Sequence, residues 1–90
     1  MGKVIHELKI QPHNFSKMKS GERNFDVRYN GCHFDVGDEL ILKEFVPKDY
    51  YEDTESEYYT GNILHRKVIY ILDLEEIGAK GYIVLGLEKI

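Results

Sequence analysis

Residues 21–28 read Gly21-Glu22-Arg23-Asn24-Phe25-Asp26-Val27-Arg28, and they predict the change from helix to strand that organises this fold. Gly21 ends a helical pattern, in the position where a left-handed glycine commonly closes a helix. Beyond it, apolar and polar residues alternate as far as Tyr29. Because successive strand side chains point to opposite faces, Asp26 and Arg28 share one face, and the intervening apolar residues share the other.

The residues before this stretch predict a strand followed by a short helix. Residues 4–10 have strand character, and Pro12 fits the first position of a helix, where its missing N–H has no cost. Phe15 and Met18 are three residues apart, so they share a helical face. We therefore expect a two-turn helix that ends at Ser20 and Gly21.

The rest of the chain predicts three more strands separated by turns. Asn30-Gly31 and Gly37-Asp38 are turn signals, and Pro47 ends the strand that precedes it. The fourth strand has a continuous apolar centre, which favours burial on both faces. The five predicted strands are residues 4–10, 23–29, 39–46, 63–72 and 81–87. We expect one domain over residues 1–90, mostly β with a short helix (α+β), forming a small mixed or antiparallel β-barrel.

Composition limits the partners that this chain can have. Its 90 residues carry a net charge of −4, which argues against a strongly electrostatic nucleic-acid binder. Five acidic residues and one lysine lie in residues 48–57, so the remainder of the chain has equal numbers of acidic and basic residues. A local basic patch is therefore compatible with the overall negative charge.

Cysteine, histidine and hydropathy patterns give three further expectations. The single cysteine, Cys32, excludes an internal disulfide and favours a reducing compartment. The four histidines are scattered without metal-ligand spacing, so we expect no metal and no cofactor. No window approaches the roughly 18 apolar residues of a membrane-spanning helix. Together these features predict a cytoplasmic protein without a membrane segment.

Residues 48–60 predict a loop of unusual composition. Four tyrosines flank its acidic run. One interpretation is a solvated excursion between two strands. A second is a lid whose tyrosines stack on a base or cover a pocket. A third is that residues 48–59 contact a protein partner, since aromatic side chains supply anchors at interfaces.

The order of these motifs resembles the ASCH domains of the PUA-like superfamily. The pattern Gly21-x-Arg23-x-x-Asp26-x-Arg28 is followed by Val36-Gly37-Asp38 after a strand and a short helix. The chain is also similar to a small, uncharacterised bacterial and phage-associated group of ASCH-like domains. The residues that carry this resemblance are His6-Glu7-Leu8-Lys9-Ile10, Phe25-Asp26-Val27-Arg28, Val36-Gly37-Asp38-x-Leu40-x-Leu42-x-Glu44, Tyr59-Thr60-Gly61 and Gly81-Tyr82-Ile83-Val84-Leu85.

The resemblance implies a PUA-like barrel with a cleft beside the helix, and RNA or a modified nucleotide as its ligand. In such a cleft, Arg23 and Arg28 would contact phosphate or a base edge, and Asp26 would orient them or accept from an exocyclic amine. Tyr59 would stack at the rim. The candidate binding residues are Lys9, Gly21, Arg23, Asp26, Arg28 and Tyr59.

An enzymatic alternative follows from the same resemblance. Some ASCH proteins are amidohydrolases that deacetylate an acetylated cytidine nucleoside. Their lysine position is occupied here by Arg23, which stays protonated and cannot act as a base. Asp26 occupies their threonine position and is the remaining candidate for a general base. Glu44 and Glu75 are candidates for their distant glutamate.

Overall fold

The computed structural model describes residues 3–90, except for the side chain of Cys32. The chain is mostly β with one short helix, as predicted, and its five strands form one mixed sheet that curls into a half-barrel. No helix in this part of the chain is long and apolar enough to cross a membrane. The elements are β1 (Ile5–Ile10), α1 (Pro12–Ser20), β2 (Phe25–Tyr29), β3 (Glu39–Val46), β4 (Tyr58–Asp73) and β5 (Tyr82–Lys89), with 3₁₀ turns at Asn30–Cys32 and Leu74–Ile77.

The half-barrel is open between its first two strands. The strand order is β1-β3-β4-β5-β2, with β1 parallel to β3 and every other pair antiparallel. The sixteen residues of β4 pair first with β3 and then with β5, so this strand joins the two halves of the sheet. β1 and β2 are the edges, and they face each other across an open seam.

Helix α1 covers the inner face of the curled sheet. Phe15 and Met18 are both buried, as their spacing predicts, and they join one apolar cluster with side chains from every strand but β2. Burial of each such side chain contributes about 1.5–3 kcal/mol. Gly21 ends the helix with a φ of 88°, and its N–H donates to the carbonyl oxygen of Met18 at 3.3 Å. The predicted helix end is therefore confirmed.

Strand β2 has the predicted alternation, and its buried face is the polar one. Asp26 is only 5% exposed, whereas Phe25 is 44% and Tyr29 is 65% exposed. The inner side of β2 borders the seam, where polar partners satisfy the Asp26 carboxylate. The apolar side chains of this strand consequently point away from the core.

The prediction for the fourth strand was wrong in two respects. β4 begins at Tyr58, so the preceding loop is shorter than residues 48–60. Its apolar centre is also buried on one face only: Val68 is fully buried, but Ile69 and Tyr70 are 47% and 59% exposed. Continuous apolar strands are buried on both faces when helices cover both sides of a sheet, and here a single α-helix covers the inner side.

Two carboxylates near the start of β3 hold the edge strand β1 in place. Asp38 accepts hydrogen bonds from His6 Nε2 at 2.8 Å and from the backbone N–H groups of Asp35 and Val4 at 3.0 and 3.3 Å. Burial alone raises the pKa of the Asp38 carboxyl, but these hydrogen bonds and the charge of His6 hold the pKa below its ordinary value. The neighbouring Glu39 pairs with Lys3 and His65, and the hydrogen bond from Lys3 is the main cause of its lowered pKa.

The Asp38 contacts predict a specific loss of stability in acid. Because the pKa of Asp38 is lower in the folded chain, the unfolded chain binds the proton first as the pH falls. The stabilisation is therefore present above about pH 4 and is lost below it. We expect Asp38→Asn to make the free energy of unfolding less dependent on pH between about pH 5 and pH 2 than in the wild type.

Urea denaturation followed by circular dichroism at a series of pH values measures this slope. Asp53→Asn is the control, since it removes the same charge from the exposed loop. A wild-type slope retained by Asp38→Asn would show that the Asp38 contacts do not stabilise β1.

Candidate functional site

A polar cleft of about 270 Å³ lies on the open seam of the half-barrel. We call it the seam cleft. It is bounded by β1, the start of α1 and β2. Its lining residues are Lys9, Ile10, Gln11, Asn14, Arg23, Asp26, Val27 and Arg28. Four of the six residues predicted for the site are therefore brought together here, and Gly21 and Tyr59 are not among them.

The Asp26 carboxylate is the centre of this cleft. Its Oδ2 accepts a hydrogen bond from Arg28 Nε at 2.6 Å, and its Oδ1 accepts from Arg23 Nη2 at 3.2 Å. The backbone N–H of Val27 also donates to Oδ1, at 3.1 Å. One buried anion thus orients two guanidinium groups through charge-assisted hydrogen bonds.

Arg28 crosses the seam. Its Nη2 donates to the backbone carbonyl oxygen of Lys9 on the opposite edge strand, at 2.6 Å. Arg28 therefore uses two of its five N–H groups on partners within the described residues. No buried side-chain nitrogen in residues 3–90 lacks a partner, so Arg28 Nη1, which makes no hydrogen bond, is accessible from the cleft or the solvent.

Arg23 is fixed by three hydrogen bonds and an aromatic ring. Besides Asp26, its Nη1 donates to Asn14 Oδ1 at 2.7 Å and its Nε to the carbonyl oxygen of Phe25 at 2.9 Å. The guanidinium carbon lies 4.9 Å from the centroid of the Phe25 ring. The cleft has two guanidinium cations against one carboxylate, so it is locally positive in a chain of net charge −4.

Tyr59 lies in a second cleft, of about 370 Å³, on the outer side of β3 and β4. A β-bulge forms it: Lys43 pairs with Ile63, and Phe45 pairs with Tyr59. Gly61, with a φ of 93°, lies in the additional segment of β4. Glu44 Oε1 stabilises the bulge by accepting from Thr60 Oγ1 at 2.8 Å and from Asn62 Nδ2 at 3.0 Å. Bulges often re-aim side chains next to functional sites.

Half-buried Phe45 and exposed Tyr59 form an aromatic pair, which we call the aromatic platform. Their ring centroids are 5.1 Å apart, and the Tyr59 residue is 52% exposed. Lys9 Nζ lies 4.5 Å from the centroid of Phe45 and 6.0 Å from that of Tyr59. Since Lys9 also lines the seam cleft, this residue connects the two sites.

A second lysine beside the platform, Lys43, was not among the predicted site residues. Its Nζ lies 5.8 Å from the centroid of Tyr59 and pairs with Glu7 Oε1 at 2.5 Å. The Glu7 hydrogen bond and charge raise the pKa of Lys43, so it stays cationic. Lys43 and Phe45 are two residues apart on β3, so they share one face of the strand. The bulge that brings Tyr59 beside them depends on the pairing of β3 with β4, which are distant in sequence. Gly61 is the one residue whose type signals an irregularity in β4.

Gly21 has a conformational role in this structure. It lies outside the lining of both clefts, and no heavy atom lies within 4 Å of the position that a Cβ would occupy. Its left-handed backbone turns the chain, and the N–H of Arg23 then donates to the carbonyl oxygen of Lys17 at 3.1 Å. Gly21 thus directs Arg23 toward Asp26.

The loop between β3 and β4, which contains the acidic run with Tyr50 and Tyr51, contacts α1. The Tyr50 hydroxyl accepts a hydrogen bond from the backbone N–H of His13 at 3.1 Å, and the Tyr50 ring packs edge-on against that of Tyr51. Thr54 closes the loop, because its hydroxyl accepts from the N–H of Tyr51 and its carbonyl oxygen accepts from that of Asp49. The hydrogen bond from His13 places Tyr50 beside the helix turn that supplies Asn14 to the seam cleft.

The geometry gives Asp26 an orienting function. Each of its oxygens already accepts from a guanidinium that stays charged at working pH. Glu44 lies in the other cleft, and Glu75 lies in the 3₁₀ turn after β4, so neither lines the seam cleft. Among the described residues, no three His, Cys, Asp or Glu side chains converge in a way that could hold a metal ion.

A family model described as "Domain of unknown function (DUF3850)" matches residues 5–87, and the chain belongs to this family. The match includes every residue of the seam cleft and of the aromatic platform. No curated protein gives a significant match to the chain. Nothing in the family description connects it to ASCH or PUA-like domains, so that resemblance stays a prediction.

The shared carboxylate predicts a large effect of Asp26→Asn. The asparagine amide would place N–H donors against at least one guanidinium and leave two partly buried cations without an anion. We expect a loss of about 2–4 kcal/mol in the free energy of unfolding. Asp35→Asn is the matched control, since Asp35 forms an exposed pair with His33 at 3.7 Å and should change stability by less than about 0.5 kcal/mol. Chemical denaturation measures both, and equal effects would contradict a central role for Asp26.

Proposed function

We propose that the seam cleft binds the phosphate of a nucleotide or of a short single-stranded RNA, and that the aromatic platform stacks a base of the same ligand. The observation that carries this proposal is the pair of guanidinium groups held by one buried carboxylate, with Arg28 Nη1 accessible. Planar N–H donors in fixed positions match the oxygens of a phosphate or the acceptors of a base edge.

Pre-organisation supports the assignment of phosphate to Arg23 and Arg28. Both side chains are immobilised before any ligand arrives, because each makes hydrogen bonds to Asp26 and to a backbone or side-chain oxygen. A ligand therefore does not bear the entropy cost of ordering two long side chains. The excess of positive charge in the cleft favours an anion.

The position of Lys9 supports one continuous binding path. Its backbone borders the seam cleft and its ammonium group lies over the Phe45 ring. A nucleotide phosphate in the cleft thus has an exposed aromatic surface within reach of the same strand edge. Stacking on an aromatic side chain tolerates any base, so this arrangement predicts weak sequence preference.

The distribution of charge favours a short ligand. Outside the cleft, the acidic residues of the loop after β3 would repel a long phosphate backbone. Affinity should therefore depend on one or two phosphate contacts, and its salt dependence should be shallow.

The cleft predicts different effects for two substitutions of one arginine. Arg28→Ala removes both the charge and the planar donors, so we expect at least about a tenfold loss of affinity for nucleoside monophosphates and short single-stranded RNAs. Arg28→Lys keeps the charge but not the fork, and should retain only part of the binding. NMR titration of labelled protein measures the affinities and locates the shifted signals.

Lys80→Ala is the matched control for charge, because Lys80 is exposed and forms no ion pair within residues 3–90. Circular dichroism verifies that each variant is folded. If Arg28→Ala binds as tightly as the wild type, or if no member of the ligand panel shifts the cleft signals, the proposed function is wrong.

The aromatic platform predicts a base-dependent effect of Tyr59→Ala. Loss of one stacking surface is expected to weaken binding of a mononucleotide or RNA by about 1–3 kcal/mol, and Tyr59→Phe should preserve it. Ribose 5-phosphate, which has no base, should bind both variants as it binds the wild type. Tyr58→Ala is the control, since Tyr58 is equally exposed but lines a different depression. Equal losses for Tyr58→Ala and Tyr59→Ala would argue against stacking at the platform.

A further inference from the structure

The outer face of β2, β5 and the second half of β4 has three rows of apolar side chains. Cross-strand register sets these rows: Tyr29 lies opposite Tyr82, Val27 opposite Val84, and Phe25 opposite Gly86. On its other side, β5 pairs Val84 with Leu72 and Gly86 with Tyr70. The residues with large exposed side chains in these rows are Phe25, Val27, Tyr29, Tyr70, Leu72 and Tyr82, which are between 42% and 65% exposed. We call them the outer apolar face.

This face has no charged side chain within its three rows. The first charged pair lies in the next row, where Lys67 is opposite Glu88. Asp26 and Arg28 belong to the opposite side of β2, since they alternate with the residues of the face. The Arg23 guanidinium lies at the rim of the face, 4.9 Å from the centroid of the Phe25 ring, where Asn14 and Asp26 hold it. The centre of the face is therefore uncharged, and it suits an uncharged apolar surface.

Six half-exposed side chains of this size present about 600 Å² of apolar surface. That is at the upper end of what a monomer usually exposes. Two such faces packed together would bury about 1,200 Å², which is at the lower end of specific interfaces. The area is thus sufficient for a weak dimer, and it predicts strong dependence of assembly on protein concentration.

We infer that the outer apolar face binds the same face of a second copy of this chain. Two sheets can pack face to face about 10 Å apart, and a two-fold axis makes one patch complementary to itself. An uncharged face meets its own copy without repulsion between like charges. The inference does not depend on nucleotide binding, since Asp26 and Arg28 face the other side of β2.

Sedimentation velocity over about a hundredfold range of concentration tests this inference. The wild type should shift from monomer to dimer within that range. Tyr70→Glu and Leu72→Glu each place a charge in the face, so each should raise the dimer dissociation constant at least about tenfold. Ile5→Glu is the matched control, because Ile5 is 57% exposed on the opposite edge strand.

A second measurement keeps the inference testable if a variant fails to fold. In a mixture of isotope-labelled and unlabelled wild-type protein, intermolecular NOEs should connect the ring protons of Tyr70 and Tyr82 with methyl groups of Val27 or Leu72. A wild type that stays monomeric throughout, or a dimer that Ile5→Glu weakens as much as Tyr70→Glu does, overturns the inference.

Discussion

The absence of closure between β1 and β2 is the constraint on which this structure depends. Each edge strand has backbone groups that no neighbouring strand satisfies, and such edges invite pairing with other chains. Here the Arg28 side chain bridges the gap, because its Nη2 donates to the carbonyl oxygen of Lys9. Its Nε donates to the Asp26 carboxylate, which fixes the position of the guanidinium. A salt-bridged arginine thus takes the place of a ladder hydrogen bond. Because a long side chain and not a neighbouring strand spans the gap between β1 and β2, room remains there for a polar cleft.

Because of this open seam, strand β2 contributes polar side chains to the seam cleft and apolar side chains to the outer surface. In a closed barrel its inner face would be apolar and its outer face polar. At the seam the inner face meets a polar cleft, so Asp26 and Arg28 lie inward and the apolar residues lie outward. The strand is therefore inverted relative to an ordinary half-buried strand. Its polar face supports the proposed ligand site, and its apolar face supports the inferred contact with a second copy.

Local signals account for what could be predicted from the sequence. The helix end at Gly21 and the whole of β3 were predicted correctly, because left-handed glycine caps and proline stops act within a few residues. The contacts of Asp38 with His6, 32 residues away, were not predicted. They depend on the parallel pairing of β1 with β3, which skips β2. The bulge at Gly61 and the outward face of β4 were missed for the same reason, since both follow from strand order and from which side α1 covers.

A buried arginine outside the clefts explains how the site is kept rigid. Arg66 is buried on β4 and forms no ion pair with a described residue. Its Nη2 donates to the carbonyl oxygen of Met18 at 3.3 Å and its Nη1 to that of His65 at 2.9 Å. The positive charge thus lies at the C-terminal end of α1, where the helix dipole is negative. Because Gly21 and Arg23 follow this end directly, anchoring it to β4 fixes the direction in which the chain enters the seam cleft. The contacts of Arg66 in the core therefore help to position Arg23 beside Asp26.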